Sequence, residues 1–242
     1  MTLHPAFIRV QVELVARHVE IGRGGWSDGL DQLTNLQRRL GLGPPGDPPN
    51  EVWAGVLAAA EDAAALEPVV DRISGLAATL PVPVPEHLLH AWPTCGAFSV
   101  QRDGDLARTH FFSMDVDELS PLHPSKLEQR RNELHAAVAE FRALHPDVRR
   151  IKGGSWLYTL DRYAELFPAE HIARAAPRRG RSLFRGMSHW GQFLDHRGEV
   201  HEHRIDAFRR RLADWSGGDL CRLFPVPTLE VESPIEVFDG AA

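Results

Sequence analysis

Cysteine is scarce in this sequence. Cys95 and Cys221 are the only two, and neither belongs to a C-x-x-C pair. Their separation argues against a thiolate zinc site or a dithiol redox motif. Two isolated thiols fit a reducing compartment, so a cytoplasmic protein is expected. No apolar run reaches the ~20 residues that a membrane helix needs. The first stretch, MTLHPAFIRVQVELVARHVE, lacks a basic segment followed by an apolar core and does not read as a signal peptide. Positive charge is not in excess either: the formal net charge is -6, which favours neither nucleic acid nor an acidic membrane as partner. No repeat occurs at solenoid spacing.

What is present is an ordinary globular balance, 43% apolar and 25% charged over 242 residues, enough for one large domain or two small ones. The first third reads as helices. Ile8, Val12, Val15 and Val19 share one helical face, and Leu30, Leu33, Leu36 and Leu40 share another. The stretch GLGPPGDPPN (41–50) interrupts helix. Leu66, Val69, Ile73, Leu76 and Leu80 mark a third helical region, which Pro68 breaks or restarts. The run PVPVP (81–85) is stiff and extended, the best domain boundary. The expected organisation is α+β: a helical region over 1–80, a Pro-rich linker and short helix over 81–94, and an α+β domain over 95–242.

Beyond the boundary, CGAFSVQRDGDLARTHFFS reads as a hairpin turning at Asp103-Gly104, with its second strand over about 106–112. A helix follows, with Ser125 and Glu128 at capping-box spacing and Leu127, Leu134, Val138 and Phe141 as its buried stripe. Pro146 ends it, a strand leads into IKGGSWLY, and a short helix covers 161–167. Residues 182–195 fit a helix or a bulged strand turning at Arg197-Gly198. RIDAFRRRLADW is a helix, and the chain closes on a strand.

The chemistry candidates divide into several groups. Gly153-Gly154-Ser155 lacks the second glycine of G-x-S-x-G, and Lys152 precedes the glycines where a Walker loop has it after them. A strand bulge with Trp156 and Tyr158 in the core is the plain alternative. His196, His201 and His203 lie among Glu199 and Glu202, but no HExxH signature accompanies them, and solvated side chains with no metal are expected. His110 sits at the apolar end of a strand, as a general base or a histidine satisfied by a backbone carbonyl. Arg130 and Arg131 flank the buried stripe, which leaves two readings: solvated arginines, the commoner case, or one turned inward towards a carboxylate or an anionic ligand. Arg178, Arg179, Arg181 and Arg185 form a basic cluster suited to a phosphate-bearing cofactor or to solvent.

The order THFFSMDVDELSPLHPSKLEQRRNELHAAVAEF, HPDVRRIKGGSWLY, RYAELFP, SLFRGMSHWGQF resembles the C-terminal domain of GNAT-like acyltransferases over about 97–193. His110-Phe111, Ser120-Pro121-Leu122 and Ser155-Trp156-Leu157-Tyr158 stand where that family has short motifs. The chain departs from the family's His-Ile-Pro element at two of three positions and lacks a clean Arg/Gln-x-x-Gly-x-Gly/Ala pyrophosphate loop. The resemblance implies a mixed sheet whose central strands splay around an acyl thioester, with acyl-CoA or a carrier protein as donor and an amine or hydroxyl as acceptor. It implies His110 as base, Ser155 facing the cleft, Trp156 and Tyr158 against the substrate, and backbone amides over Lys152, Gly153 and Gly154 at the thioester or the phosphates, aided by Arg178 and Arg179. A non-catalytic binding or assembly module on the same fold, and a histidine-based metalloenzyme, are the alternatives.

Overall fold

A computed structural model of the chain describes residues 3–44, 50–81, 92–112, 115 and 117–239. The fold class is α+β, with helices ahead of a mixed six-stranded sheet. The chain divides into two compact units: Met1–Val84 with Arg179–Pro227, and Pro85–Arg178 with Thr228–Ala242. The expected division at 95 is therefore incomplete, because residues 179–227 pack with the N-terminal helices rather than with the sheet. Most of the expected linker lies outside the described residues.

The physical reason is α1 (Pro5–Glu20), which is buried on two sides. Ile8, Val12 and Val15 join a core with α2 (Trp26–Leu33), α3 (Leu36–Arg39), α4 (Glu51–Glu61) and α5 (Leu66–Thr79). Phe7, Val10 and Leu14 join a second core with Trp190, Phe193, Ile205, Phe208 and Phe224. A helix apolar on two faces needs cover on both, and the later segment supplies it through the helices Met187–Gly191 and Glu202–Ala213. Pro68 falls in the first turn of α5, where a missing N–H costs nothing. The 182–195 region resolves as short helix, with the expected turn at Arg197-Gly198 held by Asp195 Oδ1, which accepts from the amides of Arg197 and Glu199.

In the sheet unit the strands are β1 (Thr94–Cys95), β2 (Phe98–Asp103), β3 (Leu106–Phe111), β4 (Arg150–Ser155), β5 (Ala176–Pro177) and β6 (Leu229–Pro234), in the order β1-β2-β3-β4-β6-β5. Gly104, at φ 64°, opens the two-residue loop between β2 and β3. β3 and β4 are parallel neighbours joined through α6 (Leu127–Leu144); every other pairing is antiparallel. One sheet face carries Phe98, Val100, Ala107, Ile151 and Val231, which pack with Leu134, Ala137, Val138 and Phe141 of α6. The expected capping box is not formed. Pro124 starts a 3-10 turn, and the His123 side chain accepts from the Ser125 amide.

Two further differences concern IKGGSWLY. No bulge interrupts it: β4 pairs with β6 in continuous register from Arg150↔Pro234 to Ser155↔Leu229. Nor does the strand extend through Trp156. Ser155 Oγ accepts from the Leu157 amide at 3.1 Å, and this side-chain cap turns the chain into the 3-10 helix Trp156–Thr159. The glycine at 153 answers to packing. A Cβ there would meet the Tyr158 hydroxyl oxygen at 2.0 Å. Gly153→Ala should therefore destabilise by roughly 2–3 kcal/mol. In a Tyr158→Phe background the closest atoms would be Thr109 Oγ1 and the ring carbon, both at 2.9 Å. Urea unfolding of both single variants and the double variant should show a smaller penalty for the alanine in that background.

Candidate functional site

The β3–β4 ladder runs only from Leu106↔Arg150 to Arg108↔Lys152, although both strands continue. Beyond that point β3 stays paired to β2, and β4 to β6. The facing edges over Thr109–Phe111 and Gly153–Ser155 are not paired with each other, a break in the ladder referred to below as the notch. Thr109 Oγ1 donates to the Lys152 carbonyl at 3.3 Å across its base.

On the core side the notch is floored by Tyr158. Its ring packs against Tyr163 and Phe167 at 5.1 Å, and its hydroxyl lies over Gly153. That hydroxyl is buried without a hydrogen-bond partner. Burial pushes its pKa up; Thr109 comes near enough to temper the rise without meeting hydrogen-bond geometry. The phenol keeps its proton. His171 packs in the same core, its ring 6.4 Å from that of Tyr158. His171 Nδ1 lies 2.7 Å from Ser233 Oγ, which donates to the Pro234 carbonyl. The serine therefore accepts from Nδ1–H, so the basic lone pair is on Nε2, which is buried and unpartnered. Burial, with Arg174 as a lesser cause, lowers the His171 pKa to about 4.

The opposite sheet face is polar. His110 Nε2 is 3.0 Å from Gln101 Oε1, and its ring stacks on Trp92 at 4.8 Å. Lys152 and Arg108 both bond Asp103, at 3.0 and 2.6 Å, and together hold that carboxyl below its ordinary value. Arg178 Nε lies 3.7 Å from Glu230, and its guanidinium passes over Gly154, where an added Cβ would meet Nη1 at 3.2 Å. His110, Lys152, Gly154 and Arg178 are thus brought onto one surface by strand alternation.

Other expected site residues fall elsewhere. Ser155 is a cap, and its hydroxyl serves the backbone. Trp156 stands on the turn, partly exposed. Arg179 belongs to the helical unit, exposed and 3.9 Å from Asp219. Arg131 is exposed and donates to the Glu165 carbonyl at 3.2 Å. Arg130 is the arginine that points inward, and it takes carboxylates: Glu133 at 2.7 and 2.8 Å, and Asp115. Its Nε donates to the Pro121 carbonyl at 3.2 Å, so it has no edge left for a ligand. Against the upward push of burial, Arg130 and Lys126 hold the Asp115 carboxyl low. Glu133 also accepts from the Ala97 amide at 3.0 Å, tying α6 to the start of β2. Residues missed by sequence reasoning were Thr109, His171 and Ser233, which no motif marks. Among the described residues no three His, Cys, Asp or Glu side chains are grouped to hold a metal, and no helix is long and apolar enough to cross a membrane. No family model, curated protein or solved structure matches this chain.

Two outcomes test this geometry. Glu133→Ala should cost about 3 kcal/mol in chemical unfolding, since it leaves Arg130 under-neutralised and the Ala97 amide unpaired. His171 has a folded pKa below its unfolded value, so the unfolded chain binds more protons between pH 6.5 and pH 4, and stability falls as pH drops through that window. The loss from this group is about 2 kcal/mol at pH 5 relative to pH 7. Unfolding of His171→Gln should show a correspondingly flatter pH dependence.

Proposed function

We propose that the sheet unit is a GNAT-like acyltransferase module and that the notch between β3 and β4 takes the acyl thioester. The observation that carries this reading is the buried, unpartnered Tyr158 hydroxyl over Gly153 at the point where two parallel strands stop pairing. A thioester carbonyl entering the notch would supply the missing acceptor. The hydroxyl would stabilise the carbonyl oxygen as it gains charge, a role that a preorganised donor fills at no reorganisation cost. The acceptor amine or hydroxyl adds to the carbonyl carbon, the C–S bond breaks, and the acceptor proton passes to His110 on the polar face and then to the departing thiolate. With Gln101 Oε1 accepting from Nε2, the His110 lone pair lies on Nδ1. Lys152 and Arg178, flanking bare Gly154, would meet the donor's phosphates by exchanging Asp103 and Glu230 for them.

A second reading has its own support: Thr109 and Tyr158 already floor the notch, as in a binding module that performs no transfer. Thermal unfolding with CoA, acetyl-CoA and longer acyl-CoAs separates the two. At about 100 times the dissociation constant, linkage stabilises by about 2.7 kcal/mol, on the order of 5–10 °C in melting temperature. Arg178→Glu should shrink that rise. Tyr158→Phe should leave stability within about 1 kcal/mol of the parent, since it deletes an unsatisfied hydroxyl, and should abolish transfer. No rise with any CoA thioester, and no transfer from a carrier-protein thioester, would leave the binding module.

A further inference from the structure

Arg39, at the end of α3 in the helical unit, is a cation in an unusual setting. Its guanidinium lies over the Phe7 ring, 5.4 Å from the centroid. Among the described residues its one side-chain hydrogen bond is a 3.4 Å contact from Nη2 to the Met187 carbonyl, and its Nε is buried without a partner. No carboxylate among the described residues pairs with it, whereas Arg9, Arg17, Arg102, Arg130, Arg150 and Arg209 each lie within 3 Å of one. Although its surface is partly open, enough protein crowds it for desolvation alone to lower its pKa to about 10.

The segment facing it is polar and held in place. Asn35, one helical turn before Arg39, donates from Nδ2 to the Gly186 carbonyl at 3.1 Å. Arg185, the residue before that glycine, reaches Asp31 only at 3.5 Å, and its Nε is buried without a partner. Arg39 thus meets the Met187 carbonyl with no carboxylate on it, and Arg185, two residues before Met187 in the chain, has only a distant one. A guanidinium crowded by protein and lacking a carboxylate is partly desolvated, a cost that a bound anion would offset. A weak bond to one carbonyl does not use a fork of five donors. An oxyanion bound at the open edge of the guanidinium, with Phe7 behind it, would use that fork.

We infer that Arg39, with Arg185 as the second cation, forms a binding site for a small oxyanion, free or as the phosphate or carboxylate group of a larger ligand. The site lies within the helical unit and does not depend on the acyl-transfer reading of the sheet unit. The competing account is a structural clamp in which Arg39 serves only to hold the Met187 carbonyl.

The two accounts predict opposite results for Arg39→Gln in the full chain. As an anion site, Arg39 should be unfavourable when empty, so the variant should melt at or above the parent temperature in sodium chloride. Inorganic phosphate at matched ionic strength should raise the parent melting temperature by about 5 °C near saturation and leave the variant unmoved. Arg185→Gln should weaken phosphate binding several-fold, and Arg39→Lys should keep part of it, since lysine retains the charge but not the fork. Parallel acetate and phosphate titrations by calorimetry distinguish a planar from a tetrahedral preference. A variant that melts lower than the parent and keeps the full phosphate response would establish the clamp. The absence of heat and of any shift in the parent with either anion up to about 10 mM would also overturn the inference.

Discussion

The sheet unit is organised around one buried guanidinium. Arg130 points from α6 towards the sheet and would be intolerable there alone. Glu133 and Asp115 neutralise it, Pro121 takes its Nε, and Lys126 shares Asp115. Each partner brings a different piece of chain with it: Glu133 fixes the Ala97 amide at the start of β2, and Asp115 and Pro121 fix the connection from β3 to α6. Gly96, at φ 53°, leaves room for the Glu133 carboxylate where any side chain would collide. The β3-α6-β4 crossover is therefore anchored at the end of β3 that borders the notch. An ion pair this deep is a poor source of net stability, but it penalises any arrangement in which the loop and helix separate.

With the crossover fixed, the notch follows from two side chains. Thr109 replaces the next rung of the β3–β4 ladder by bonding the Lys152 carbonyl itself. Tyr158, turned inward by the Ser155 cap, fills the space over Gly153 that a larger residue would occupy. Glycine beside bulky aromatics is thus a matter of contact distance; the backbone at 153 is not left-handed.

How much of this was legible depends on whether the deciding contact is local. The periodicity of α6 located its core stripe, because a 3.6-residue period fixes which side chains share a face. That stripe left open whether either arginine turned inward, and it could not name partners, since Asp115 lies in irregular chain. α1 shows the same limit. One stripe, Ile8-Val12-Val15, was plain, while Phe7-Val10-Leu14 was equally regular and implied a second partner some two hundred residues away in sequence. The strand pattern of IKGGSWLY misled because a serine cap outcompeted alternation, a choice made by one hydroxyl and one amide. His171 and Ser233 carry no motif at all; they meet only because β6 pairs with β4 and carries Ser233 to the side of the sheet where His171 packs.

Buried polar atoms without a partner occur in both units, and two of them lie together in the sheet unit. Folding removes buried donors and acceptors from water, and an unmatched one costs about 1–3 kcal/mol. Tyr158 Oη and His171 Nε2, a donor and an acceptor, remain unmatched in one aromatic core beside a gap in the sheet. Phenylalanine at 158 would keep the packing and remove the cost. In a core selected for stability alone, such a hydroxyl is the group to lose. The hydroxyl lies where, among the described residues, the β3–β4 pairing has ended. On the acyl-transfer proposal, a thioester carbonyl in the notch would accept that hydrogen bond, and the free energy recovered would count towards binding.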